Sequence, residues 1–291
     1  MLLLFSGLIG LPLGAQENGL LWKIYHPKKT DTSYLFGTMH IQAEEVFLSE
    51  NKILHLLEKC STVYLEIDPF LEKNQHLSLD DLQVKKQEGI RQALGENRWK
   101  KCDSLFRLQT GFSLSLFDTY MPVYVSLLIN QIQLAKRNTS GKGEIMDVYI
   151  AQQAKASKKE LSGLEQAQDQ LNALRKIPFR EQLQLLEDEL RHGSPPDIET
   201  LIQYYKEENT DSMLYLHLHN ALSPKTDRLL RVNRNKKMSQ QLQTICRRES
   251  AFVAVGALHL LGKEGIISHL RRKGFIVEKI PLKKTSPIKR K

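Results

Sequence analysis

Phe252-Val-Ala-Val-Gly-Ala-Leu-His-Leu-Leu-Gly-Lys-Glu-Gly-Ile266 decides how this chain folds. A short apolar run rich in β-branched residues ends at Gly256, and His259 follows three residues later. Gly262 then opens an apolar, helix-like segment that runs to Arg272. The pattern predicts a buried strand, a tight turn and a helix start. It sets an imidazole just past the carboxyl end of a strand, the edge where open α/β sheets build their sites. Near the other end, Ser33-Tyr-Leu-Phe-Gly-Thr-Met-His-Ile41 repeats the arrangement, with Gly37 and then His40. Two Gly-x-x-His turns, one from each half of the chain, predict two imidazoles meeting at one site.

The segments between them fit an α/β protein. Residues 20–25 and 34–37 read as two strands, with a polar turn between them. Residues 44–59 carry a helical stripe. Residues 62–67 read as a third strand that holds Glu66 within an apolar run. A lone buried acid is costly, so Glu66 faces solvent, pairs with an arginine, or serves as a metal ligand or base near His40. Residues 79–219 are mainly helical, with period-3.6 patterns over 79–94, 98–108, 122–135, 143–157, 166–176, 178–191 and 195–208. Within that block, 160–165 reads as a further strand ending in an acid, Glu165. Residues 225–248 read as one long basic helix, and 275–280 as a last strand before Pro281. The boundaries that follow are a first segment at 1–15, a domain over 20–281 with a helical insertion at about 79–219, and a basic tail at 282–291.

A chain of 291 residues with 41% hydrophobic content can bury a sizeable core. Cys60, Cys102 and Cys246 are far apart, odd in number and without metal spacing, so they read as core thiols. The net charge of +9 is concentrated in five basic residues from Lys283 to Lys291 and eight from Lys225 to Arg248. A solvated helix face and a loose tail account for both, and no aromatic-interleaved basic motif points to nucleic acid. Peripheral contact with anionic lipid is a further expectation for so basic a surface. Residues 1–15 are almost wholly apolar, like the core of a secretory signal with Ala15 at a cleavage point. They predict export to the periplasm, the cell envelope or the medium. Against this, no basic residue precedes the run and Leu13 stands where a small residue is usual; a buried amino-terminal strand is the alternative.

Several pieces together resemble the TraB/PrgY/GumN family, which includes the Tiki-type proteases that act on Wnt. They are Leu21-Trp-Lys-Ile24, Tyr34-Leu-Phe-Gly-Thr-Met-His40, Tyr64-Leu-Glu66, Ile145-Met-Asp147, Gly163-Leu-Glu165, Arg234-Asn235 and Val255-Gly-Ala-Leu-His-Leu-Leu-Gly262. Glu144 and Asn233 depart from the pattern, at positions without assigned chemistry. The resemblance implies a central mixed β-sheet flanked by helices, related to erythromycin-esterase-like and ChaN-like proteins. For the Tiki branch it implies metal-dependent peptide hydrolysis.

The residues suggest the chemistry independently. Two neutral imidazoles with one or two carboxylates suit Zn²⁺, Mn²⁺ or Co²⁺. His40, Glu66 and His259 are the first choices for metal or acid–base work, and Asp147 and Glu165 are additional ligands or orienting groups. Arg234 is expected to stabilise an oxyanion, with Asn235 donating a hydrogen bond beside it. Gly37 and Gly256 are expected to permit close backbone turns. A peptide or protein is the expected substrate. The other seven histidines lack such a context. Two alternatives stand beside this reading: a metal-independent esterase with a histidine general base, and a non-catalytic binder of haem or a peptide signal.

Overall fold

The structure is a computed structural model that describes residues 17–29, 31–41, 46–71, 78–84, 89–137, 145–192, 197–219 and 223–282. The expected signal segment, most of the basic tail and Glu144 lie outside these residues. Six strands form one mixed sheet: β1 (Leu21–Tyr25), β2 (Thr32–Thr38), β3 (Thr62–Leu65), β4 (Glu160–Gly163), β5 (Ala251–Gly256) and β6 (Ile276–Lys279). Their spatial order is β4-β3-β5-β2-β1-β6. The four strands from β4 to β2 run parallel, and β1 pairs antiparallel with both β2 and β6.

All six residues of β5 are buried, because this central strand is covered on both faces. That is why it reads as an unbroken apolar run rather than an alternating one. Helix α1 (Glu50–Glu58) contributes Ile53, Leu56 and Leu57 to the sheet core. Each such side chain is worth about 1.5–3 kcal/mol when removed from water.

The middle block is built from α2 (Ile90–Thr110), α3 (Pro122–Arg137), α4 (Met146–Ala156), α5 (Ala167–Arg175), α6 (Phe179–His192), α7 (Asp197–Lys206) and α8 (Thr210–His219). It has a core of its own, in which Phe106, Val125, Ile129 and Leu186 are fully buried. Strand β4 lies within this block yet pairs with β3 at the sheet edge. The expected helices at 79–94 and 98–108 are one helix from Ile90, interrupted at Gly95 (φ 71°), after a short 3₁₀ turn at Leu79–Leu82.

The expected basic helix has three parts: α9 (Pro224–Asp227), a π turn (Arg228–Val232) and α10 (Asn233–Arg248). Ser223 starts it, its hydroxyl accepting from the Thr226 N–H ahead of Pro224. After β5, a 3₁₀ turn (Ala257–His259) carries the second histidine, and α11 (Ile266–Arg272) begins later than Gly262. No helix among the described residues is long and apolar enough to cross a membrane.

Candidate functional site

The parallel strands bring their carboxyl ends to one level. Thr38 pairs with Gly256, and Leu65 pairs with both Ala254 and Gly163. His40, Glu66, Glu165 and His259 each follow one of these four ends by one to three residues. Glu66 is therefore not inside β3, as the apolar run suggested, but is the first residue beyond it. Asp147 comes from the first turn of α4, where a carboxylate faces unpaired amide dipoles. Arg234 and Asn235 come from the start of α10.

Glu66 is the centre of the cluster and is only 6% exposed. Its Oε1 accepts from the Gly256 N–H at 2.6 Å. The same oxygen lies 3.4 Å from His259 Nε2 and 3.8 Å from His40 Nε2. Its Oε2 accepts from Arg234 Nη2 at 2.7 Å and from Gln170 Nε2 at 3.2 Å.

Each imidazole is held from its far side. Asn235 donates its amide to the Glu264 carbonyl at 2.7 Å, so its Oδ1 turns toward His259 Nδ1, 2.5 Å away. His259 is then the donor at Nδ1 and presents the lone pair of Nε2 to Glu66. His40 Nδ1 sits 2.8 Å from Asp147 Oδ2, and the Thr38 hydroxyl donates to Asp147 Oδ1 at 3.0 Å. Imidazoles backed by a carboxylate or an amide carbonyl are the usual arrangement behind a metal-binding histidine.

Burial pushes His259 down to about 4; Glu66 opposes this and Arg234 reinforces it. Burial alone would raise Glu66, but His259, His40 and Arg234 around it hold the carboxyl well below the usual carboxylate range. Burial also works against charge on His40, yet Asp147 and Glu66 outweigh it and raise that imidazole above its ordinary value. Half of the His40 side chain is open to solvent, which screens those pairs. At neutral pH an ionised Glu66 oxygen and the bare Nε2 of His259 thus face each other at 3.4 Å. The positive charge already beside Glu66 comes from Arg234, 2.7 Å from Oε2, and from His40, whose imidazole Asp147 and Glu66 raise above its ordinary value.

Three features bear on whether a divalent cation fits. The donor set, two imidazole nitrogens and a carboxylate oxygen, is that of hydrolytic zinc sites. A Cβ built on Gly256 would lie 3.0 Å from Glu66 Oε1 and 3.1 Å from His40 Nε2, so the missing side chain leaves a cradle against these donors. Asp147 Oδ2 is buried and, among the described residues, finds no aligned hydrogen-bond donor even with His40 so close. Against this, no group of three or more His, Cys, Asp or Glu among the described residues has the spacing of a formed metal site. Ligands about 2.0–2.2 Å from one cation stand roughly 3.3 Å apart in a tetrahedron, so 3.4 Å already matches and 3.8 Å is slightly open. The two separations from Glu66 are thus of the size that a shared cation would set, while no formed three-ligand group is present among the described residues.

Each of the three guanidinium nitrogens of Arg234 is engaged. It donates to Glu165 Oε2 at 2.8 Å, to the Leu230 carbonyl at 3.0 Å and to Glu66. Asn235 is fully buried with both ends of its amide in use. Gly37 and Gly256 lack the positive φ expected of turn glycines. Their value is space: a Cβ at Gly37 would lie 2.8 Å from Leu260 Cδ1. Thr38 and Gln170 were not read from the sequence. Thr38 is legible afterwards within Gly-x-x-His, whereas Gln170 lies on the otherwise ordinary helix α5.

Comparison with known proteins gives a family match. A sequence model of the TraB/PrgY/gumN family matches residues 20–279. The chain is 24% identical to the metalloprotease TIKI2 of Xenopus tropicalis over 96% of its own length and 63% of that protein's. It is 24% identical to the metalloprotease TIKI1 of Homo sapiens, covering 93% of this chain and 63% of the relative. It is 27% identical to TIKI1 of Danio rerio, with 91% and 63% covered. The chain thus spans somewhat less than two thirds of these relatives. No solved structure matches. With a family match across nearly all of its sheet and helices, the chain belongs to the TraB/PrgY/gumN family.

Proposed function

We propose that this site hydrolyses peptide bonds with the help of a divalent cation held by His40, Glu66 and His259. The observation that carries the reading is the pair of acceptors, Glu66 Oε1 and His259 Nε2, set face to face beneath His40. When bound, a Zn²⁺, Mn²⁺ or Co²⁺ ion would polarise a carbonyl and acidify a water molecule.

The chain's own groups orient and screen. Asn235 keeps the proton of His259 on Nδ1. Asp147 stands 2.8 Å behind His40 Nδ1, and Thr38 steadies Asp147. Arg234 holds Glu66 ionised and joins it to Glu165, so its role is positioning rather than direct contact with a developing oxyanion. His40 is the most solvent-exposed of these groups and faces the approaching substrate. A peptide or protein substrate accords with the metalloprotease names of the relatives.

The test is cleavage of a peptide library by the purified chain and by His40→Ala and His259→Ala, with metal content measured alongside. Chelation is expected to abolish cleavage and a divalent cation to restore it. Each substitution is expected to lower cleavage at least about 100-fold and to empty the site, since even losses behind the ligands cost 10–100-fold. Unchanged cleavage and metal content in both folded variants would refute the assignment.

A further inference from the structure

The basic stretch Lys225–Arg248, which reads in the sequence as a solvated face, borders a groove of about 560 Å³. Its walls include Leu218 from the end of α8, Arg228, Arg231 and Val232 from the π turn, Lys236 from α10, and Glu264. We propose that this groove binds an acidic peptide segment and presents it to the neighbouring site; the second half of that statement rests on the hydrolase reading above.

Position is the first support. Asn235 joins the groove wall to the site, because its amide donates to the Glu264 carbonyl while its oxygen faces His259. The π turn packs on the 3₁₀ turn that carries His259. A chain lying in the groove therefore arrives beside the imidazoles.

Charge is the second. Asp227, also on the wall, is spent internally: Arg231 donates to both its oxygens at 2.7 Å, and His217 lies 3.1 Å away. Glu264, 3.6 Å from His269 and half exposed, is the one wall acid without a cationic partner among the described residues, since burial and Arg272 push that imidazole toward its neutral form. Arg228 and Lys236, in contrast, are exposed and form no ion pair among the described residues. Free cations beside an internally neutralised acid select carboxylates.

Shape is the third. Arg228, Val232 and Lys236 recur at intervals of four, which lines two cations and an apolar residue along one face. Leu218, 47% exposed, adds apolar surface opposite charge. This mixture suits a peptide in which acidic and apolar side chains alternate. The π turn at this place is in keeping with the frequent use of such irregular turns at functional sites.

The experiment is fluorescence anisotropy with the full chain and two fluorescein-labelled decapeptides of Ala, Leu and Ser, one carrying three Glu and the other three Gln. Wild type is expected to bind the Glu peptide at least tenfold more tightly, with the advantage shrinking as salt is added. The double charge reversal R228E/K236E, with folding checked by circular dichroism, is expected to erase that preference. The milder R228Q/K236Q is expected to reduce it. His259→Ala is expected to keep it. Equal binding of the two peptides by wild type, or an undiminished preference in R228E/K236E, would overturn the proposal. Preference without any cleavage would leave the groove assigned and the hydrolase reading refuted. Cleavage without preference would refute the groove alone.

Discussion

His259 has its Nδ1 committed, and the commitment comes from a residue on another element. Asn235 is on α10, and its own orientation is set by the carbonyl of Glu264. An Arg-Asn pair in a helix gives no sign of this, because the direction of the amide depends on a loop that arrives from elsewhere. The Gly-x-x-His turns were legible for the opposite reason: glycine and histidine at fixed spacing after an apolar run carry their meaning locally. Even so, the reason for the glycines was not. Gly256 is needed for the space between it and Glu66, not for an unusual φ. At this scale Asn235→Ala is the informative change. Freed of its acceptor, His259 is expected to bind a divalent cation about 10–100-fold more weakly. Competition with a fluorescent chelator measures this, and unchanged affinity would show that Asn235 does not orient the ring.

At the scale of elements, the apolar strands were readable because burial on both faces removes alternation, as β5 shows. Their ends were harder to place. Glu66 and Glu165 sit beyond strands whose apolar pattern continues to the acid itself. The break of the basic helix into three was not readable at all, since a π turn adds a residue without changing the composition. What holds that break is the Asp227–Arg231 pair together with His217, a histidine whose sequence context gave no hint of a role. Burial would raise Asp227, but His217 and Arg231 outweigh it and lower the carboxyl from 3.8 to about 2. A carboxylate depressed in the folded state contributes stability that is complete above about pH 4 and is lost as pH falls through about 2. The shift corresponds to about 2 kcal/mol. Unfolding measured in urea between pH 4 and 2 is therefore expected to show a steeper loss for wild type than for Asp227→Asn, by about that amount. Parallel curves would deny the pair its role.

Across the whole molecule, the sheet gathers residues that the chain keeps far apart: His40, Glu66, Asp147 and His259. The likeness of the two Gly-x-x-His turns pointed to this meeting, and the parallel pairing of β2 with β5 supplies it. Strands β1 and β6 were legible one by one, but their antiparallel pairing and the separate core of the helical block were not, because both arise from pairings between distant pieces. The central claim is that the two imidazoles serve one cation. Titration of the metal-free chain with Co²⁺, followed by visible absorption, tests it most directly. One equivalent is expected to bind in wild type, and His40→Ala and His259→Ala are each expected to lose that absorption while remaining folded. A full equivalent bound with undiminished affinity in either variant would contradict it.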